Sequence, residues 1–469
     1  MISKKQEYTV SKSELGKKPL FPEGMIFGAA TAAYQIEGSA GEDGRGPSVW
    51  DIFSHKRGRV YNNDNGDQAC DHYKRYRDDV SIMSRIGLDA YRFSISWPRV
   101  LPEGRGAVNR KGLDFYDKLV DELLLAGIRP FATLFHWDYP YQLYRSTGGF
   151  EKRSSAHYFA DYAEVVVNKL GDRVKDWITL NEPWVHSTLG YLLGVHAPGV
   201  KKPIYWSRTV HNQLLAHAWA MERIKTVSPA SRVGITLNIS PVDAWGDSAM
   251  NRSVVDIADQ FQNRVFLDPL FKGEYPRQLM RKLNLFWPDV SDADMDLISR
   301  PMNFLGINLY TRKQVFYAPW IPFLGAWFKE NRIPNKEYIR NGVRYTSMGW
   351  EVYPESLYNA LTAIRDNYGN IPVYVTENGA AFNDKLSDYR VHDDARVQFL
   401  YEYTAQAARA AAEGCDLRGY FAWSLLDNFE WAEGYRKRFG LVYVDYENQR
   451  RTIKDSGYWY KDLILANKR

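Results

Sequence analysis

From about residue 20 onward, short runs of β-branched and aromatic residues alternate with longer stretches whose apolar positions recur at helical spacing. The first run is MIFGAATAA, from Met25; in the following DHYKRYRDDVSIMSRIG, Tyr73, Tyr76, Val80 and Met83 share one helix face. DAYRFSIS (89–96) reads as a second strand, and KGLDFYDKLVDELLLA, from Lys111 to Ala126, as a helix. Gly127 ends it, as a glycine just past a helix commonly does. RPFATLFH (129–136) is a third strand, 154–170 an amphipathic stretch, and VKDWITLNE (174–182) a fourth strand. RVGITLN (232–238), MNFLGINLY (302–310), IPVYVTEN (371–378) and LRGYFAWSL (417–425) bring the count to eight.

Strands separated by helices pair in parallel through right-handed crossovers, with both sheet faces covered. Eight such units predict an α/β fold, a single (β/α)8 TIM barrel, rather than an open doubly wound sheet. An open sheet would carry a glycine-rich phosphate turn after its first strand. Neither GAATAAYQIEG nor GEDGRGPS has the G-x-G-x-x-G spacing. The long connections, roughly 37–73, 183–206 and 311–349, are expected as βα loops decorating the barrel mouth. Residues 1–20 read as a flexible arm and 21–469 as one domain.

Composition adds exclusions. The chain has 469 residues, 45% hydrophobic and 25% charged, which is globular. A net charge of +5 without clustered basic residues gives no footprint for a nucleic-acid partner. Cys70 and Cys415 are too few for a disulfide scaffold or a Cys-based zinc site. The N-terminus mixes charges without an apolar run, and no stretch approaches the ~18 apolar residues of a spanning helix. A cytoplasmic enzyme with no membrane partner is the expectation, although a leader removed beforehand would leave the same sequence. The oligomeric state stays open. Much of the aromatic content, Trp 15, Tyr 32 and Phe 22, must be core, yet so many Trp also suit a site that grips flat apolar ligand faces.

In such a barrel the chemistry lies at the C-terminal strand ends. The first strand runs into Gln35 and Glu37, the second carries Arg92, and the third ends in His136-Trp137. The fourth ends in Asn181-Glu182, the sixth in Asn308 and Tyr310, and the seventh in Glu377-Asn378. The eighth carries Trp423, with Glu430-Trp431 just beyond. Taken singly, each has a bland explanation: a cap, a turn, half of a buried ion pair. Their convergence on one mouth does not. No strand end carries a Cys/His cluster, so neither metal nor organic cofactor is signalled.

Carboxylates at the ends of the fourth and seventh strands face each other across the ring, the arrangement glycoside hydrolysis needs. One must be protonated to help the leaving group depart, and the other ionised to attack the anomeric carbon. Arg92 is expected to hold Glu377 ionised, which leaves Glu182 as the better candidate for the proton. Asn181 and Asn308 offer amides to sugar hydroxyls, while Trp350, Trp423 and Trp431 offer flat faces to a pyranose. A carboxyl gap of about 5–5.5 Å would mean retention, and about 6.5–9.5 Å inversion.

TLNEPW (179–184) and YVTENG (374–379) resemble the two catalytic signatures of glycoside hydrolase family 1, the β-glucosidase family. So do FGAATAAYQIEG, YRFSISWPR, LFHWD, GVHAPG, LGINLYT, WSLLDNFEW and GYRKRFGLVYVDY, in the family's order from about Phe21 to the C-terminus. The resemblance implies that Glu182 is the acid/base and Glu377 the nucleophile of a retaining mechanism. It implies that Gln35, His136, Asn181, Glu430 and Trp431 bind hydroxyls of the non-reducing sugar, with Asn181 at the 2-hydroxyl. Asn308 and Tyr310 would surround the nucleophile with Arg92 beneath it, Trp423 would floor the sugar site, and Trp350 would be the platform for the leaving group.

The implied activity is an exo-β-glycosidase acting on terminal β-D-glucosyl residues of small-molecule or oligosaccharide β-glycosides, with β-galactosides and β-fucosides as further candidates. Phe27 stands where a Trp is common, and DYPYQLYRSTGGF differs from the usual version after HWD. Residues 311–349, including APWIPFLGAWF, match nothing specific and read either as an apolar rim or as a loop packed on its own barrel. The nearest alternative is a 6-phospho-β-glucosidase. Such relatives tend to have a small hydroxyl residue in place of Glu430 and Tyr in place of Phe439; Lys437 and Arg438 are basic and nearby. A non-hydrolytic carbohydrate-binding barrel would need one carboxylate replaced, and both are present. A phosphate-binding isomerase or aldolase would need a glycine-rich phosphate loop or a strand-end Schiff-base Lys, and neither is evident.

Overall fold

The β-branched and aromatic runs form strands where the alternation predicts them: β1 (Ile26–Ala30), β2 (Ala90–Ser94), β3 (Arg129–Phe135), β4 (Asp176–Asn181), β5 (Arg232–Asn238), β6 (Phe304–Asn308), β7 (Val373–Asn378) and β8 (Leu417–Trp423). The structure, a computed structural model, describes residues 16–329, 339–340 and 342–468. All eight strands pair in parallel with their sequence neighbours, and β8 pairs with β1, so the sheet closes into a barrel. One long helix follows each strand: α1 (His72–Ile86), α2 (Arg110–Leu125), α3 (Ser154–Leu170), α4 (Pro203–Val227), α5 (Val265–Lys272), α6 (Glu355–Tyr368), α7 (Asp394–Ala412) and α8 (Asp455–Asn467). The eightfold barrel expected from the alternation is the observed fold.

The helices form for the reason their pattern gives. In α2, Leu113, Tyr116, Leu119, Val120 and Leu123 make the buried face, each apolar side chain contributing about 1.5–3 kcal/mol. Gly127 then takes φ 71, a conformation that side chains disfavour, and turns the chain into β3. Inside the barrel the lower layer is aromatic: Phe131 packs against Phe421 at 5.0 Å and Tyr374 at 5.4 Å, and Phe304 against Tyr374 at 5.1 Å. This plug makes the barrel a core rather than a pore. The polar residues therefore sit above it, at the mouth. Closure is reinforced from outside by α8, where Tyr460 Oη donates to the carbonyls of Gly28 and Tyr420.

Two local irregularities bend the strands that end in the two carboxyls. The β4–β5 register shifts between Ile178 and Asn181, and the β6–β7 register between Val375 and Glu377. Such bulges redirect the side chains that follow. Of the long connections, residues 311–349 contribute Lys313–Tyr317 and Ala326–Phe328 to a small sheet with Val242–Ala244. A further decorating loop, 239–264, was not among the expected ones; it carries three short helical pieces. Most of the N-terminal arm lies outside the described residues. At its inner end, Asn467 Nδ2 donates to Pro19 O and Asn467 Oδ1 accepts from Phe21 N. No described helix is long and apolar enough to cross a membrane.

Candidate active site

A cavity of about 360 Å³ at the barrel mouth is lined by both carboxylates, Glu182 and Glu377, together with His136, Asn308, Tyr310, Trp350, Trp423, Glu430 and Trp431. A more voluminous depression of about 690 Å³ on the loop after β1, lined by Arg45, Asp51 and His55 among others, contains neither carboxylate and no strand end. The chemistry belongs to the smaller one.

Arg92 organises the floor. It is 1% exposed, so its charge must be satisfied internally. Nη1 donates to Glu377 Oε1 at 2.6 Å and to Thr376 O at 3.2 Å, Nη2 to Asn181 Oδ1 at 2.6 Å, and Nε to Thr133 Oγ1 at 3.2 Å. Tyr310 Oη donates to the other oxygen of Glu377 at 2.5 Å. Asn308 is oriented by Thr376, whose hydroxyl donates to its Oδ1 at 2.8 Å. Its amide is thereby turned toward Glu182 Oε1 at 2.8 Å and Asn181 Oδ1 at 3.0 Å.

The two carboxyls are thus unequal. Glu377 is gripped by a guanidinium and a phenol, while Glu182 receives one neutral amide. Burial and the neighbouring charge of Glu377 push Glu182 up to about 8, against the weaker pull of Asn308 and Arg92. Glu377 is raised as well, because burial outweighs Arg92, Tyr310 and Asn308. Arg92 does lower Glu377 as expected, but it does not restore an ordinary carboxylate. One proton shared between two carboxyls resides on the one with fewer donors, and that is Glu182.

Buried polar atoms around this pair without a hydrogen-bond partner among the described residues include Gln35 Oε1, His136 Nδ1 and Glu430 Oε2. Buried polar groups are rarely left so, and their clustering suits a ligand rich in hydroxyls. Gln35 is fixed by donating Nε2 to Phe429 O at 2.8 Å and Asn428 Oδ1 at 3.1 Å. The Oδ1 of Asn181 already accepts twice, so its Nδ2 donates to His136 Nε2 at 2.9 Å. Burial and Arg92 keep His136 neutral, well below its usual pKa. The tautomer that follows carries its hydrogen on Nδ1, the free position. Glu430 is driven up to about 8 by burial and by Glu377, Glu433 and Glu182.

The aromatic floor is built by packing. His136 stacks on Trp423 and on Trp431 with centroids 5.9 Å apart in each case. Trp350 packs against Tyr310 at 5.1 Å and Phe439 at 6.1 Å. Gly379, directly after the Glu377-Asn378 strand end, lies so close to Trp423 O that an added Cβ would collide with that backbone oxygen. Gly379→Ala is therefore expected to push Trp423 out of place, lowering stability by about 1–3 kcal/mol. Thermal unfolding read beside substrate KM checks it: both should worsen together.

The strand-end residues singled out in the sequence are brought together except Asn378, whose amide donates to Leu309 O and accepts from Tyr420 Oη, both at 2.6 Å, and Glu37. Its carboxylate turns away from the cavity to accept from Arg99 Nε at 2.8 Å and Tyr116 Oη at 2.6 Å. Gln35, Asn181 and Arg92 lie just beneath the cavity wall and reach it through the contacts above.

The sequence model described as Glycosyl hydrolase family 1 matches residues 17–469. The chain belongs to that family. Among family 1 relatives, Beta-glucosidase A of Thermotoga maritima is 46% identical over 449 residues, covering 95% of this chain and 98% of that protein. The bifunctional beta-D-glucosidase/beta-D-fucosidase of Bifidobacterium breve is 43% identical over 457 residues, covering 95% and 98%. The structure of the Thermotoga maritima beta-glucosidase in complex with deoxynojirimycin superposes with a TM-score of 0.90 at 46% identity, covering 95% of this chain and 99% of that one.

This family 1 site also contains residues to which the sequence reading gave no role. Trp137, at φ 78, donates Nε1 to Asn181 O at 2.9 Å and packs on Trp431 at 4.5 Å. His196, from GVHAPG, lines the cavity against Trp50 at 5.3 Å, and burial lowers it to about 4, so it is neutral. Their signal was membership of the motifs LFHWD and GVHAPG. Asn238, Ser240 and Gln262 also line the cavity, from a segment with no motif at all. Of residues 311–349, Thr311, Lys313 and Met348 reach the cavity, whereas the APWIPFLGAWF stretch does not. Among the described residues, no group of three or more His, Cys, Asp or Glu side chains could hold a metal ion.

Proposed function

We propose that the chain is a retaining exo-β-glucosidase whose acid/base is Glu182 and whose nucleophile is Glu377. The observation that carries this reading is the inequality of two carboxyls in one cavity: Arg92 and Tyr310 grip Glu377, while Glu182 is buried with a single amide donor. In the first step a Glu377 oxygen bonds to the anomeric carbon as the glycosidic C–O bond breaks, and the Glu182 proton passes to the departing oxygen. In the second, Glu182 takes a proton from water, the hydroxide oxygen bonds to the same carbon, and Glu377 leaves. Each step inverts, so the product retains its configuration.

Gln35, His136, Asn181, Glu430 and Trp431 bind the non-reducing sugar over Trp423, and Trp350 faces the leaving group. A cavity closed below by Trp423 and the aromatic plug accepts a chain end and not a chain interior. The names of the relatives support β-glucosides as substrates, with β-fucosides beside them. Phosphorylated sugars are disfavoured: Glu430 and Glu433 line the wall, whereas Lys437 Nζ donates to Ser347 O and Arg438 pairs with Asp427 at 2.7 Å. Residues 21–469 act as one catalytic domain. Both cysteines are free and buried, which suits a reducing cytoplasm.

The test is a panel of nitrophenyl β-glucoside, β-galactoside, β-fucoside and 6-phospho-β-glucoside, with the anomer of the first product read by NMR. The glucoside is expected to react fastest, with β-product first. Preference for the 6-phosphate, or α-product first, would overturn the reading.

A further inference from the structure

Of the two side chains that grip Glu377, Arg92 lies within β2, whereas Tyr310 lies two residues past the end of β6. A strand residue is placed by its ladder; a residue beyond the strand needs another support. The backbone of Tyr310 finds that support on α7, in the helical layer outside the barrel. Tyr403 of α7 is 0% exposed, and its Oη donates to Tyr310 O at 3.0 Å and accepts from Tyr353 N at 3.1 Å.

One hydroxyl thus spans two segments, 310–312 past β6 and 350–353 before α6. The segments are also fastened to each other. Thr311 Oγ1 donates to Glu351 O at 2.7 Å, and Arg312 Nε and Nη2 donate to the two Glu351 carboxylate oxygens at 3.0 Å each. The Tyr310 ring packs on Trp350 at 5.1 Å. Those contacts make the two segments one unit, and Tyr403 ties the unit to α7. The Tyr403 ring is itself set by stacking on Phe399, one helical turn earlier, with centroids 4.1 Å apart. Among the described residues, none of α7 lines the catalytic cavity, so Tyr403 works from behind the Tyr310 backbone.

We infer that Tyr403 is a positioning residue for the nucleophile: its hydroxyl fixes the backbone of Tyr310 and, through it, the phenol that grips Glu377. The inference rests on the assignment of Glu377 as nucleophile and adds a residue to which that assignment gives no part. The groups facing Glu377 are Arg92 from β2, Glu182 from the end of β4, Asn308 and Tyr310 from β6 and its extension, and Glu430 from beyond β8. Of these, Tyr310 is the one to which Tyr403 bonds. The phenol's hydrogen bond lowers Glu377, so a slackened phenol lets the carboxyl rise. Glu377 attacks ionised, and its rise therefore moves the acid limb of kcat/KM toward higher pH.

The experiment measures the pH dependence of kcat/KM for nitrophenyl β-glucoside in the wild-type chain, Tyr403→Phe, Tyr310→Phe and the double variant. Tyr403→Phe keeps the ring and its stack on Phe399 and removes one oxygen. It is expected to lose about tenfold in kcat/KM, the scale of one neutral hydrogen bond. Its acid limb should move up by about half a pH unit. Tyr310→Phe should lose more, because the donor itself is gone. Adding Tyr403→Phe to it should then cost little and leave the limb where it is, closing a double-mutant cycle. Thermal unfolding, read first, keeps every rate measurement below the melting range. Should Tyr403→Phe not fold, Tyr403→His takes its place in the same cycle, with a donor and an acceptor nitrogen on a shorter ring. An acid limb unmoved by the single variant, or two losses that multiply in the double variant, would leave Tyr403 a packing residue and overturn the inference. Failure of the reading beneath it shows separately, as no turnover by the wild-type chain or as an active Glu377→Gly.

Discussion

Glu377→Gly should lose hydrolysis of nitrophenyl β-glucoside by roughly five orders of magnitude, the scale on which removal of an enzyme nucleophile acts. Sodium azide should restore part of the rate and yield the α-glucosyl azide. The reason is geometric. With the carboxylate gone, a small anion can enter the space that Arg92 Nη1 and Tyr310 Oη address from two sides. Glu182 can still protonate the leaving oxygen, so one displacement occurs where two did before, and the configuration inverts. NMR of the azide product is the deciding measurement. Near-normal hydrolysis by the variant, or a β-azide, would remove Glu377 from the nucleophile's role.

Glu182→Ala should discriminate among leaving groups. A positioned general acid contributes about 10²–10⁴-fold, and only where the departing oxygen needs a proton. Cellobiose and alkyl glucosides should lose that full factor in the first step, whereas dinitrophenyl glucoside, whose phenolate leaves unaided, should form the glycosyl-enzyme at a nearly unchanged rate. Pre-steady-state release of the phenol reads this directly, and equal losses on both substrates would argue against the acid role. The wild-type pH profile carries the same information. Glu182 is raised to about 8, so it keeps its proton through neutrality and loses it as pH rises past that value. The alkaline limb of kcat/KM should therefore fall around pH 8, and Glu182→Ala should abolish that limb for the activated substrate. The acid limb belongs to protonation of Glu377, whose shift is also upward.

How much of this was legible beforehand follows from which signals have a period. The eight strands and their helices were readable because apolar spacing persists over many residues, and both carboxyls were readable because strand ends have a fixed place in the barrel. Gln35 and Glu37 looked alike in the sequence, yet only one serves the cavity. They flank the end of a short helix, Ala33–Ile36, and residues two apart on a helix do not face the same way. Gln35 therefore points to the β8 loop and Glu37 to Arg99. Gln262 and Ser240 were illegible for a different reason. Their placement depends on a π turn and on a contact between positions 23 apart in the chain, and neither leaves a periodic trace. For Glu377, sequence shows the cation that pulls its carboxyl down, Arg92, but not the depth of burial that opposes it.

The guanidinium of Arg92 bonds to side chains or backbone on β3, β4 and β7 from its own place on β2, so the groups that move electrons and protons are fastened to staves and not to loops. Trp350 and Gln262, which line the same cavity, hang from segments outside the staves. On the proposed reading, reactivity and choice of alcohol are carried by separable parts of the chain. On that reading the rim of this barrel can be exchanged, and its diet with it, while the engine beneath runs unaltered.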